Sequence, residues 1–347
     1  MPDAATARIL VRPPNWLGDA VLALPAIAAI RRHFAGADLA IAAPASIAAL
    51  FRQDTDVRPD RVVEMPGDAR SQLAAIRGEG ASLGVLFPNS FGSALQLRRA
   101  GVPERWGYPT SARGLLLTRK SRPPRARGPR HQSDYYRDLV RGLGIDCDDA
   151  TVPRLAPSAP SAARAEALLA QHRVDLSAPI VGFAPGAAYG QAKQWPTDRV
   201  AQLAARLVRD HGVSSVLLGA SHDGAAARAI ESWLRAQAPD VLPRVISLVG
   251  HTSLGALVGV IDRTAVLVSN DSGAMHVAAA LGRPVVAMFG PTDERVTRPI
   301  GDHTVITESV FCRPCMLRDC PIDHRCMKRI TVDAVAAAVV ARLDARA

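Results

Sequence analysis

The sequence predicts an α/β protein made of two successive open parallel sheets. Three observations lead there. Short β-branched runs alternate with amphipathic stretches, the pattern of parallel strands joined by covering helices. The alternation stops at residues 152–161 (VPRLAPSAPS), a stretch with three prolines, and then restarts. At 347 residues and about 150 per domain, the chain has room for two cores.

Taken in order, Arg8–Arg12 (RILVR) reads as the first strand and 19–33 as its helix. Residues 38–43, 61–64 and 83–87 (LGVLF) follow as strands, before a polar, Pro-rich turn at 121–130. Beyond the break, 162–171 is helical, Ile180–Ala184 is a strand, and Thr197–His211 is a helix ended by Gly212. Strands are expected at 215–218, 245–248, 265–269 and Val285–Phe289, with helices at 254–261 and 272–281, the latter closed by Gly282. The expected domains are therefore 1–160 and 161–347, both Rossmann-like and facing a cleft.

Composition excludes several classes. Hydrophobic residues make up 48% and charged residues 21%, which is globular and not the balance of a disordered chain. No apolar run approaches the roughly 18 residues of a membrane span. The apolar stretch 20–30 follows Asp19, contains Pro25 and lacks a basic segment just ahead, so it does not read as a signal peptide. The expectation is a soluble intracellular protein.

The net charge of +10 is concentrated. Between Arg98 and Arg141 twelve basic residues face three acidic ones, a balance of +9. Such a segment is either a solvated basic loop or a surface for polyanions: nucleic acid, an anionic membrane or a phosphorylated substrate. Its aromatics (Trp106, Tyr108, Tyr135, Tyr136) match no RNA-stacking motif, which disfavours nucleic acid.

Ligands of open parallel sheets bind where strand ends lead into helix N-termini, and three such loops carry unusual residues. In Arg12-Pro13-Pro14-Asn15-Trp16-Leu17-Gly18-Asp19, Asp19 falls in the first turn of a helix. It is either a cap or a carboxylate kept ionised by the helix dipole. In the loop 185–196, Gly186 and Gly190 permit close backbone approach, and Lys193 adds a positive charge ahead of the helix that Pro196 opens. That suits a diphosphate, although a surface lysine is the plainer alternative. In Ser269-Asn270-Asp271-Ser272-Gly273-Ala274-Met275-His276 a polar turn precedes a helix whose free N–H groups form an anion site. Ser272 and His276 are four apart, on one helix face. There is no G-x-G-x-x-G for a nicotinamide cofactor, no P-loop and no G-x-S-x-G elbow. A nucleotide-diphosphate site in the second domain fits best.

Six motifs occur in order: N-W-L-G-D-A (15–20) with Pro25, L-F-P-N-S-F-G-S-A-L (86–95), H-Q-S-D-Y-Y (131–136), P-G-A-A-Y-G-Q-A-K-Q-W-P (185–196), N-D-S-G-A-M-H-V-A-A-A-L-G-R-P (270–284) and F-G-P-T (289–292). Together, over nearly the whole length, they resemble the ADP-heptose–lipopolysaccharide heptosyltransferases, closest to the heptosyltransferase II branch. The resemblance implies the GT-B type glycosyltransferase fold and inverting transfer of L-glycero-D-manno-heptose from ADP-heptose. The implied acceptor is the heptosyl-Kdo2-lipid A inner core. Asp19 would be the general base. Lys193 and the turn Asp271, Ser272, Gly273 would hold the donor diphosphate, with Gly186, Tyr189, Ala274 and His276 close by. Asn15, Asn89 and Ser90 would lie on the acceptor side. No cofactor is then required for catalysis, and the protein would work in the cytoplasm, peripherally at the anionic inner-membrane surface.

Three other readings remain open at this point: heptosyltransferase I acting directly on Kdo2-lipid A, a sugar-nucleotide epimerase on the same fold, and a nucleic-acid module. The last would use the basic segment with Cys312, Cys315, Cys320 and Cys326, spaced C-x2-C-x4-C-x5-C, as a zinc ribbon. Those four cysteines suit a structural zinc, an iron–sulfur cluster or simply packed thiols. Disulfides are disfavoured in a reducing compartment.

Overall fold

The computed structural model describes residues 7–123 and 128–345. The chain divides into two compact units between Leu155 and Ala156. Among the described residues each unit holds one six-stranded sheet, and every strand pairing is parallel.

The first sheet contains β1 (Arg8–Arg12), β2 (Asp38–Pro44), β3 (Arg61–Met65), β4 (Leu83–Leu86), β5 (Glu104–Gly107) and β6 (Arg119–Lys120), in the order β3-β2-β1-β4-β5-β6. The chain steps outward from β1 to β3, then returns to β4 on the other side of β1. The strand order reverses between β1 and β4, where Arg12 is paired with Leu86 at the carboxyl ends. Loops leaving two such strands run to opposite faces and open a crevice, so this reversal is the expected ligand position. The helix Leu17–His33 is buried without interruption from Ala20 to Ile30, as its continuous apolar sequence requires. The helix Phe91–Arg99 lies so close to β4 that a Cβ at Gly84 would stand 2.5 Å from Leu97 Cδ1.

The second sheet contains β7 (Ile180–Ala184), β8 (Ser214–Leu217), β9 (Val245–Ser247), β10 (Val266–Asn270), β11 (Val285–Phe289) and β12 (His303–Thr307), in the order β12-β11-β10-β7-β8-β9. Its reversal falls between β7 and β10, with Ala184 paired to Ser269. The helix Thr197–His211 buries Val200, Ala201, Leu203, Ala204, Leu207 and Val208, an i, i+3, i+4 stripe against the sheet. Gly212 ends it in the left-handed region at φ 62°.

Several boundaries differ from those expected. The first helix begins at Leu17 instead of Asp19, and the helix after β10 spans Gly273–Ala280, because Ser272 is extended. The strands β5, β6 and β12 and the helices Ala69–Gly78, Phe91–Arg99, Gln132–Gly142, Gly224–Gln237 and Val332–Asp344 have no counterpart in the sequence reading. β5 (ERWG) and β6 (RK) are too short and too polar to announce themselves. Pairing with β4 and with each other makes them strands.

Candidate active site

At the reversal of the first sheet, the loop after β1 exposes Asn15 and Trp16 and then enters the helix Leu17–His33. Trp16 occupies the N-cap position and its side chain makes no capping bond. Asp19 is the third helical residue and so is not the N-cap, which corrects the cap reading. Its Oδ1 instead accepts a hydrogen bond from Tyr136 Oη at 2.9 Å, from a residue 117 positions away. Tyr136 is buried, its ring 5.8 Å from that of Phe87. Burial, reinforced by the charge of Asp19, pushes its phenol well above the ordinary range, so it stays a donor.

The neighbouring loop after β4 carries Asn89 and Ser90. Ser90 caps the helix Phe91–Arg99, its Oγ accepting from Ser93 N at 3.2 Å. Asn89 donates to Tyr135 Oη at 2.8 Å and accepts from Arg113 Nη2 at 3.3 Å. Arg113 is fully buried. It donates to the carbonyls of Tyr108 (2.7 Å) and Pro88, and to Ser93 Oγ at 3.3 Å. Burial lowers its pKa to about 10, still cationic at neutral pH, with neutral groups supplying the acceptors.

The second reversal assembles a different set. Lys193 sits in the 3-10 turn Gln191–Lys193, nearly buried, and its Nζ donates to Asp271 Oδ2 at 2.5 Å. The same oxygen accepts from Thr292 Oγ1 at 2.7 Å. Lys193 Nζ also lies 4.5 Å over the Tyr189 ring. Asn270 ties the two loops together: Nδ2 donates to Pro185 O at 2.7 Å and Oδ1 accepts from Trp195 N at 3.1 Å. Ser272, at the N-cap of the helix Gly273–Ala280, directs its hydroxyl to Ser269 Oγ at 3.0 Å and makes no capping bond. Ser272, Gly273 and Ala274 remain partly exposed, whereas His276 is buried within the helix. At Gly186 a Cβ would stand 2.3 Å from Asp223 Oδ1, so any larger residue must displace the Asp223 carboxylate. The structure therefore brings Lys193, Tyr189 and Asp271 together, and turns the carboxylate of Asp271 toward the ammonium.

The cysteine segment packs against this loop. Tyr189 Oη donates to Met316 O at 2.8 Å, Ala192 N to Arg318 O at 2.9 Å, and Arg313 Nε to Gly290 O at 2.8 Å. Burial raises the Cys326 thiol, and the nearby Cys312, Cys315 and Cys320 add to the effect. Among the described residues no three His, Cys, Asp or Glu side chains are grouped to hold a metal ion. The side-chain placement thus gives the zinc and iron–sulfur readings no support.

Much of the basic segment has partners. Arg130 pairs with Asp138, Arg137 with Asp134 (2.9 Å) and Arg141 with Asp149 (2.7 Å). Arg98, Arg99, Lys120 and Arg122 are exposed. Arg125 and Arg127 lie outside the described residues. Among the described residues no helix is long and apolar enough to cross a membrane.

The sequence reading assigned no role to Tyr136, Asn270, Thr292 or Asp223, and counted Arg113 with the basic segment, from whose surface its full burial removes it. Tyr136, Asn270 and Thr292 lie within its motifs, so the residue types were in view without their partners. Arg113 and Asp223 lie outside those motifs; Arg113 acquires meaning from burial and Asp223 from its approach to Gly186.

Comparison with known proteins gives the family. Residues 70–325 match the model of glycosyltransferase family 9 (heptosyltransferase). Lipopolysaccharide heptosyltransferase 2 of Escherichia coli (strain K12) is 31% identical over 312 residues, covering 84% of this chain and 85% of the relative. Lipooligosaccharide heptosyltransferase 2 of Haemophilus influenzae is 29% identical over 317 residues, covering 86% and 87%. The solved structure of E. coli ADP-heptose lipopolysaccharide heptosyltransferase II matches with a TM-score of 0.82 at 28% identity, over 98% of this chain and 99% of that one. The chain belongs to glycosyltransferase family 9, the heptosyltransferase family. Its two Rossmann-like units are those of the GT-B type glycosyltransferase fold.

Proposed function

We propose that this enzyme transfers L-glycero-D-manno-heptose from ADP-heptose to the heptosyl-Kdo2-lipid A inner core of lipopolysaccharide, with inversion and with no metal ion in the chemical step. The first unit takes the acceptor and the second the donor. Asp19 removes the proton of the acceptor hydroxyl as that oxygen bonds to the anomeric carbon; the bond from that carbon to the diphosphate oxygen breaks, and ADP leaves. A single displacement inverts the anomeric centre. Inverting transfer needs a base on the attacking side and positive charge on the leaving side. The observation that carries the reading is the division of those groups: a carboxylate at the first sheet's reversal, and Lys193 beside an uncapped helix N-terminus at the second's.

Asp271 supports the leaving-group side indirectly, by holding Lys193. Direct contacts to the diphosphate then fall to Lys193 and the backbone N–H groups of the first turn of the helix Gly273–Ala280. The acceptor's phosphates and carboxylates, and the anionic leaflet that carries them, suit the exposed basic residues of the first unit. Extension of a heptosylated acceptor is favoured because the relatives named heptosyltransferase 2 align over most of this chain. A heptosyltransferase 1 of Pseudomonas aeruginosa aligns over 147 residues, 42% of it.

Mass analysis of Kdo2-lipid A, with and without one prior heptose, after incubation with ADP-heptose and enzyme tests the proposal. One heptose added only to the heptosylated acceptor is expected. Addition to bare Kdo2-lipid A would assign the first heptosyl transfer instead, and an isomerised sugar nucleotide with unchanged acceptor would make the protein an epimerase.

A further inference from the structure

The motif His131–Tyr136 has no task in the transfer as described, yet its two tyrosines reach both loops at the first sheet's reversal. The helix Gln132–Gly142 is N-capped by His131, whose Nδ1 accepts from Ser133 N at 3.2 Å. Consecutive helical residues point about 100° apart, so Tyr135 and Tyr136 diverge from one rigid base. Tyr136 donates to Asp19 Oδ1 at 2.9 Å, on the loop after β1. Tyr135 accepts from Asn89 Nδ2 at 2.8 Å, on the loop after β4.

Both rings are held. Tyr136 packs 5.8 Å from Phe87 and Tyr135 packs 4.7 Å from Tyr108. Tyr108 Oη also donates to the Tyr135 carbonyl at 2.9 Å. On the far side of Asn89, Arg113 donates to Oδ1, so the Asn89 amide is gripped at both ends.

We propose that Tyr136 and Tyr135 are positioning residues for the acceptor half of the reaction. Tyr136 holds the Asp19 carboxylate by Oδ1 and so fixes where the acceptor proton is received. Tyr135 holds Asn89 in the adjoining loop, so one helix sets the spacing between base and acceptor loop. A fixed carboxylate spends less freedom in reaching the reactive geometry, and a misplacement of about 1 Å is enough to slow a reaction about a hundredfold. The inference rests on the reading of Asp19 as the base.

A double-mutant cycle separates the two. Tyr136→Phe keeps the packed ring and removes the hydroxyl; it should lower kcat about tenfold while leaving both KM values and the melting temperature near wild type. In an Asp19→Asn background the same change should add no further loss, because the groups act as one unit. Tyr135→Phe should raise the acceptor KM and leave the donor KM unchanged. Full kcat in Tyr136→Phe, or losses that multiply in the double variant, would overturn the positioning role while leaving Asp19 as base. Wild-type turnover in Asp19→Asn alone would remove the base reading and Tyr136's task with it.

Discussion

Lys193 and Asp271 form a buried ion pair whose removal should separate stability from catalysis. Their side chains are 11% and 6% exposed and meet at 2.5 Å, with Thr292 donating to the same oxygen. Lys193→Ala strands a buried carboxylate beside one hydroxyl. Breaking such a pair from one side costs about 3–5 kcal/mol. For a unit of this size that lowers the melting temperature by roughly 10 °C. The double variant Lys193→Ala/Asp271→Asn removes the stranded charge and should recover most of the loss. Transfer should not recover with it. A charge-assisted contact to departing ADP contributes about 1.5–3 kcal/mol, or roughly 10- to 150-fold in kcat/KM. Thermal melts and an ADP-release assay on the wild type and both variants measure the two effects. A double variant that regains both stability and transfer would refute the leaving-group role. A Lys193→Ala variant that melts and turns over like wild type would refute the ion pair as well.

Two further outcomes follow from the same geometry. Gly186→Ala forces a methyl group against Asp223, whose carboxylate also lies against Gly219. Overpacking of this kind costs about 1–3 kcal/mol, and donor KM should rise while acceptor KM stays, as paired kinetics would show. Replacing Arg122, Arg125, Arg127 and Arg130 with Ser should weaken binding to anionic vesicles, raise the acceptor KM and leave the donor KM, and added salt should mimic it in the wild type. Arg130 already pairs with Asp138 and Arg122 is exposed, so Arg122 should contribute more than Arg130; unchanged vesicle binding at low salt would make the segment a solvated loop.

The α/β class was legible because its central strands are β-branched and sharply bounded. Arg8–Arg12, Ile180–Ala184 and Val285–Phe289 lie where their sequences place them. Edge elements were not. β6 is two residues long, and its strand character comes from pairing with β5 and not from Arg119 and Lys120 themselves. The helix Gln132–Gly142 was missed although Tyr136, Leu139 and Val140 follow helical spacing; its polar and charged residues set it within the basic segment, not beside a strand. The same limit applied to the site. Lys193 and Asp271 stood out by residue type and loop position, but their mutual pairing spans 78 residues. Local pattern carries no trace of such a contact, nor of the Asp19–Tyr136 bond. The first depends on β7 and β10 being neighbours at the sheet reversal, and the second on the helix Gln132–Gly142 packing against the helix Leu17–His33.

The account's central claim is that Asp19 performs the chemistry of the acceptor side while the donor is held elsewhere in the chain. Single-turnover transfer by Asp19→Asn, measured with ADP-heptose saturating and its dissociation constant determined in parallel, tests this directly. General-base removal should lower the rate about 10²- to 10⁴-fold, with donor affinity close to wild type. Turnover at the wild-type rate, or a loss explained by weakened ADP-heptose binding, would contradict it.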